Sequence, residues 1–227
     1  LLQKYGGDAL RLYLLGSPVM HGEDILISEE QYRMQVRGMM LILWNVYNFF
    51  ISNALVDRWL PNRHSGKPKA HPESGGDSGQ ARMTRANVLD RWILSLLQKL
   101  IEGVTKDLES YDTVSSIDRI KKFIDNLSTW YIRRSRDRVG PTAEDKKDKE
   151  AFYQTCHEVL VTLSKVIAPL TPFLTEEMYR NLTGGESVHL TSWPDLDQSK
   201  IDGQLEEEMS TARKVVEVTH ATRKFHN

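Results

Sequence analysis

The chain has 227 residues, 40% hydrophobic and 27% charged, a composition near the globular average and far from the low-apolar, high-charge balance of disordered chains. Thirty Lys and Arg against thirty-one Asp and Glu leave a formal charge of -1, so nucleic-acid binding cannot rest on bulk charge and would need a local basic patch. One cysteine, Cys156, excludes an internal disulfide and a four-thiolate zinc site, and fits a reducing compartment, the cytosol by default.

In chain order, Gly7-Asp8 leads a short helix through Leu15, and Asp24 to Ile27 is expected as a brief strand. From Ser28 to Ala54 the residues Val36, Met39, Met40, Leu43, Val46, Tyr47 and Phe50 recur at three- and four-residue spacings, with Ser28 as N-cap and Gln31 completing a capping box. The most apolar part, Met39 to Ile51, is broken by Asn45 and Asn48 and falls short of the roughly 18 residues a membrane span needs. Residues 61–84 carry Ser65-Gly66-Lys67-Pro68 and a Gly-Ser-rich run, and are expected to form a long mobile surface loop. A second helix starts at Asn87 and directs Leu89, Ile93, Leu96, Leu97, Leu100, Val104 and Leu108 to one side before Ser110-Tyr111-Asp112 ends it.

A third helix, from about Val114, sets Ile117, Ile120, Ile124, Leu127 and Tyr131 in alternating steps of three and four, the seam of a helix packed nearly antiparallel to its neighbours. A fourth, from about Ala143 to Ala168, buries Phe152, Cys156, Val159, Leu160, Leu163, Val166 and Ile167. Thr171 and Pro172 open a short helix to Leu182, Ser187 to Pro194 is expected to be extended with a strand at Val188 to Leu190, and Gln204 to Phe225 returns to helix. These stripes predict an all-α protein, an antiparallel helical bundle. The chain opens on Leu1-Leu2 without methionine and stops at Phe225-His226-Asn227 inside a helical pattern, so it is expected to be a piece of a larger protein.

The functional signal closes the third helix, in Trp130-Tyr131-Ile132-Arg133-Arg134-Ser135-Arg136-Asp137-Arg138. Arg133, Arg134, Arg136 and Arg138 make a basic patch on an otherwise neutral chain, with two aromatic rings one turn upstream. Guanidinium groups pair with phosphates through two parallel hydrogen bonds, and an indole or phenol face can carry an unstacked base. The alternative for the same residues is a solvated helix terminus, where Arg is favoured by the helix dipole and Trp130 and Tyr131 flank the core.

Several segments together resemble the class I aminoacyl-tRNA synthetases of the isoleucyl, valyl and leucyl group. Lys4-Tyr5-Gly6-Gly7-Asp8-Ala9-Leu10-Arg11 looks like the segment after their K-M-S-K-S signature. Leu43-Trp44-Asn45-Val46-Tyr47-Asn48, Leu89-Asp90-Arg91-Trp92, Trp130-Tyr131-Ile132-Arg133-Arg134-Ser135-Arg136, Ala168-Pro169-Leu170-Thr171-Pro172-Phe173 and Ser187-Val188-His189-Leu190-Thr191-Ser192-Trp193-Pro194 follow in order and are most similar to the isoleucyl family.

The resemblance implies a stem-contact element at residues 1–27, a helical anticodon-binding domain at 28–183 and an extended connector with a C-terminal helix at 184–227. It implies isoleucine tRNA, held at its anticodon stem-loop, and a catalytic domain of the same protein as partners, with neither DNA nor a membrane among them. The tRNA-binding residues it implies are Asn45, Trp130, Tyr131, Arg133, Arg134, Arg136 and Arg138. The valyl counterpart of this domain, or a helical scaffold with an apolar protein-binding groove, are the alternative readings.

The chain contains neither the H-I-G-H nor the K-M-S-K-S motif, so no catalytic residue and no cofactor is expected within it; ATP with magnesium, and zinc as an optional addition, belong to a full-length enzyme of that family. Gly76-Asp77-Ser78-Gly79 imitates a protease nucleophile loop without a positioned His and Asp. His157-Glu158 lacks the second histidine of a zincin helix, and His21, His64, His71 and His189 show no metal-ligand spacing, so no metal site is expected.

Overall fold

The computed structural model describes residues 2–61 and 87–226, and these contain helices and turns with no strand among them. The expected loop 61–84, with Gly76-Asp77-Ser78-Gly79, His64 and His71, lies almost wholly outside the described residues. In chain order the helices are α1 Leu2–Tyr5, α2 Gly7–Leu15, α3 Glu29–Gln35, α4 Leu41–Val56, α5 Val88–Glu109, α6 Thr113–Asn126, α7 Lys146–Ile167, α8 Pro172–Thr183 and α9 Gly203–His226. Wide π-turns at Val36–Met40 and Leu127–Ile132 continue α3 into α4 and extend α6.

Local chemistry sets the ends. Ser28 Oγ accepts the Gln31 N–H at 3.1 Å, the first half of the predicted capping box; the Gln31 side chain turns away and accepts the Tyr13 hydroxyl at 3.2 Å. Asn87 Oδ1 caps α5 by accepting the Leu89 N–H at 3.0 Å. At the other end of α5, Asp112 N–H bonds Asp107 C=O at 2.8 Å and Tyr111 N–H bonds Leu108 C=O at 3.1 Å, a Schellman motif built on Tyr111 with φ of 62° where glycine is usual. Asp112 Oδ1 then caps α6 through the Ser115 N–H at 2.9 Å, so one tight turn makes α5 and α6 an antiparallel hairpin.

The core forms where α4, α5, α6 and α7 meet, with α8 packed on α7 and the first half of α9 on α5. Leu43, Ile93, Leu97, Ile117, Ile120, Ile124, Phe152, Leu160 and Leu163 are fully buried there, as the periodicity predicts. Each such side chain contributes about 1.5–3 kcal/mol by leaving water. The uninterrupted helical stretch Glu29–Val56 is long and apolar enough to cross a membrane on length and composition alone, but its Leu43, Val46, Tyr47 and Phe50 are committed to this core.

Residues near the front make a second, smaller cluster of Ala9, Tyr13 and Tyr32. It is locked to the bundle by an exchange of helix ends. Buried Asp8 accepts the N–H groups of Phe173 and Leu174 at 3.3 and 2.7 Å, capping α8, while Arg11 donates to the carbonyls of Pro169 and Leu170 just beyond α7 at 2.7 and 3.3 Å. A carboxylate at a helix N-terminus and a cation at a C-terminus both match the helix dipoles.

Both expected strands are absent. Residues 24–27 run without a partner strand among the described residues, and Leu26 is 87% exposed. Val188–Leu190 is a 3-10 turn whose entry is held by the Glu176 carboxylate, which accepts the Ser187 hydroxyl and the Val188 N–H at 2.9 Å each and so takes that N–H from any sheet ladder. The connector that follows is pinned along α5: Trp193 Nε1 donates to Thr105 at 2.8 Å, Gln98 accepts the Asp197 N–H at 2.9 Å, and Ser95 accepts the Asp202 N–H at 2.8 Å.

Candidate nucleic-acid interface

The basic run sits where α6 gives way to the π-turn Leu127–Ile132. Such turns are rare and frequently mark functional positions. Here the wide turn sends Leu127, Tyr131 and Ile132 inward, all under 5% exposed, and leaves Trp130 on the flank, half-buried. Arg133, Arg134 and Arg136 emerge exposed just beyond it, and none has a carboxylate within ion-pair distance among the described residues.

Two of the residues expected at this surface are in the interior. Tyr131 is fully buried, stacked on Phe152 at 5.7 Å with an interplanar angle of 11°, and its hydroxyl donates to Asp90 at 2.8 Å. Burial, with the Asp90 charge beside it, pushes the phenol far above its ordinary range. The Arg138 side chain is only 8% exposed: its two terminal nitrogens grip Asp90 at 2.8 and 2.7 Å, and Nε and Nη2 grip Asp148 at 2.8 Å each. A guanidinium saturated by two carboxylates has no donors left for phosphate, so Tyr131 and Arg138 are struts of the fold and not ligand contacts.

The network reaches further. Asn87, whose oxygen caps α5, donates its amide N–H to Asp148 at 3.1 Å. Burial raises the Asp148 carboxyl, but the hydrogen bonds from Arg138 and Asn87 outweigh it and hold the group below its ordinary value. Trp130, Arg133, Arg134 and Arg136 are thus carried on a rigid base that ties the π-turn to α5 and α7.

Trp130 carries two guanidinium groups. Arg134, one turn on, lies 5.0 Å from the ring centroid, and Arg213 of α9 lies 5.2 Å from it. Arg213 Nη1 is positioned by donating to Asn126 Oδ1 at 2.5 Å. Sequence reading missed Arg213 because Arg213-Lys214 stands in an ordinary amphipathic helix with no local tie to Trp130. Asn45 is exposed on α4, which also carries half-exposed Trp44 tilted against Tyr47. Its exposure removes the reading of Asn45 as a buried backbone satisfier, and among the described residues its side chain has no hydrogen-bond partner and no contact with the arginine cluster.

Elsewhere the described residues offer little chemistry. No group of three or more His, Cys, Asp or Glu could hold a metal ion among them. Cys156 is buried and inert, its thiol pushed up by burial. His157 spends Nε2 on the Leu182 carbonyl at 2.9 Å. Cavities of about 320 Å³ beside Asp57, Trp59, Lys149 and Tyr153, and of about 240 Å³ beside Tyr13, Ile25 and Met34, lie apart from the arginine cluster.

The family model for the anticodon-binding domain of tRNA ligase matches residues 90–227. The isoleucine–tRNA ligase of Protochlamydia amoebophila is 36% identical over 229 residues, covering 100% of this chain and 20% of that protein. Those of Treponema denticola and Dehalococcoides mccartyi strain CBDB1 are 36% and 38% identical, each over 98% of the chain and 20% and 21% of their own lengths. The chain therefore spans about a fifth of the length of the curated relatives it matches. Among solved structures, the agnB2 LeuRS of Agrobacterium radiobacter K84, in a ternary complex with tRNA and LeuAMS, shares the fold with a TM-score of 0.52 at 19% identity, over 88% of this chain and 21% of that one.

Proposed function

Because the chain belongs to the anticodon-binding domain family of tRNA ligases, we propose that it holds isoleucine tRNA at the anticodon stem-loop for a larger isoleucine–tRNA ligase. Arg133, Arg134 and Arg136 meet the phosphates, Trp130 stands beside Arg134, and Asn45 offers an amide to a base edge. The observation that carries this reading is the set of three exposed arginines without acidic partners among the described residues, on a chain of net charge -1. The scaffold withdraws Arg138 from this local cluster.

The N-terminal element, fixed by Asp8 and Arg11, serves as the contact for the tRNA stem in the same reading. ATP, magnesium and any zinc act in the remainder of the ligase, whose catalytic domain is the partner of this one in the cytosol. Mixed with ATP, isoleucine and tRNA, the chain by itself forms no adenylate, which pyrophosphate exchange would reveal.

The test is binding of an isoleucine tRNA transcript and of a control differing only in its anticodon, across a salt series. Phosphate-dominated binding weakens by on the order of one log unit per log unit of salt for each contact. Affinity insensitive to both salt and anticodon would overturn this reading.

A further inference from the structure

Arg134 and Arg213 lie on one ring, come from elements 79 residues apart in the chain, and have no carboxylate within ion-pair distance among the described residues. Each is about 5 Å from the Trp130 centroid, so two positive charges share one ring. The ring quadrupole attracts both, and Asn126 holds Arg213 at the ring by accepting a hydrogen bond from it. Two guanidinium groups at one ring, with no acidic partner among the described residues, suit an anionic ligand. A phosphodiester backbone matches it, because a guanidinium pairs with phosphate oxygens through parallel N–H groups and the two charges stand beside a single ring.

We propose that Trp130 is the platform of a phosphodiester seat formed by Arg134 and Arg213, and not a stacking surface for a base. The ring is then already engaged by guanidinium planes, and the C-terminal helix α9 becomes part of the RNA-contact surface. Docking of α9 along α5, through Leu205, Ser95 and Glu206, is what brings Arg213 to Trp130. The inference rests on the tRNA-binding reading above and deepens it by assigning the phosphate backbone as the ligand of this cluster.

The experiment measures the salt dependence of binding to the isoleucine tRNA transcript for the parent and for Arg213→Gln, Arg213→Lys, Arg134→Gln and Trp130→Ala, each first shown to keep its helicity and melting midpoint. Arg213→Gln flattens the log-log salt slope by on the order of one unit and weakens the anticodon-swapped control equally. Arg213→Lys recovers the slope while losing part of the affinity, since the charge returns without the fork. Trp130→Ala flattens the slope as well, because both guanidiniums lose their support, and leaves anticodon discrimination intact.

A Trp130→Ala protein with the parental slope and narrowed discrimination overturns the seat and makes Trp130 a base-stacking residue. Parental binding by Arg213→Gln, with Arg134→Gln still weakened, overturns the seat and leaves the tRNA-binding reading standing. A parent without salt-dependent affinity for tRNA overturns both. Should Trp130→Ala melt early, Trp130→Phe provides the same readout with a smaller loss of packing.

Discussion

Arg138 and Asp90, 48 residues apart in the chain, meet in a two-pronged ion pair at 2.8 and 2.7 Å with only 8% and 3% of their side chains exposed. Removing one member of such a pair leaves the other charged and buried, which typically costs about 3–5 kcal/mol. Arg138→Ala should therefore lose stability on that scale in urea denaturation, far more than Arg133→Ala or Arg136→Ala at exposed positions. Equal midpoints for the three variants would return Arg138 to the surface patch.

The Asp57 carboxyl is raised by burial but lowered more strongly by hydrogen bonds from the Tyr153 hydroxyl at 2.6 Å, the Gly140 N–H at 3.0 Å and Lys149 at 3.1 Å, so its net position is below the ordinary value. Asp148 behaves in the same way. The folded chain then binds fewer protons than the unfolded one in the acid range. The stability these carboxylates supply is complete above the unfolded value of about 3.9 and is lost as pH falls through the lower folded value. Melting followed from neutral pH downward should show a steep acid limb, and Asp57→Asn should be less stable at neutral pH with a shallower limb. Parallel curves would show that Asp57 does not drive the acid transition.

Asp8→Ala should free the N-terminal element while sparing the bundle. It removes the carboxylate that caps α8 through Phe173 and Leu174, a loss of about 0.5–2 kcal/mol. Hydrogen exchange should quicken across residues 2–15 and at the start of α8, with the α5–α6 hairpin unchanged. Gly7, where an added Cβ would come within 3.2 Å of the Phe173 ring, should respond to Gly7→Val with the same pattern.

Tyr111 holds φ at 62° and is 88% exposed, so its side chain contributes little burial against a left-handed backbone that favours glycine. Tyr111→Gly should raise the melting midpoint, with a gain limited to about 1 kcal/mol because glycine also loosens the unfolded chain. A lower midpoint would mean that the ring stabilises the turn in the folded state.

What the sequence determined by itself is what local physics decides. Ser28, Asn87 and Asp112 cap helices through N–H groups two or three residues away, and the seam Ile117, Ile120, Ile124, Leu127, Tyr131 buries because one helix face must. Those spacings carry the all-α bundle, and the basic run marks where its charge is concentrated. Which arginines face water is not local: Arg136 and Arg138 look alike in the sequence, and only Asp90 and Asp148, brought in by α5 and α7, withdraw one of them. The strand expected at residues 24–27 failed for the same reason, because a strand exists only when a distant segment pairs with it and none of the described residues does. The neighbours of Trp130 likewise depended on the docking of α9, since a ring and a guanidinium separated by 83 residues attract only after burial of the intervening helices has placed them together.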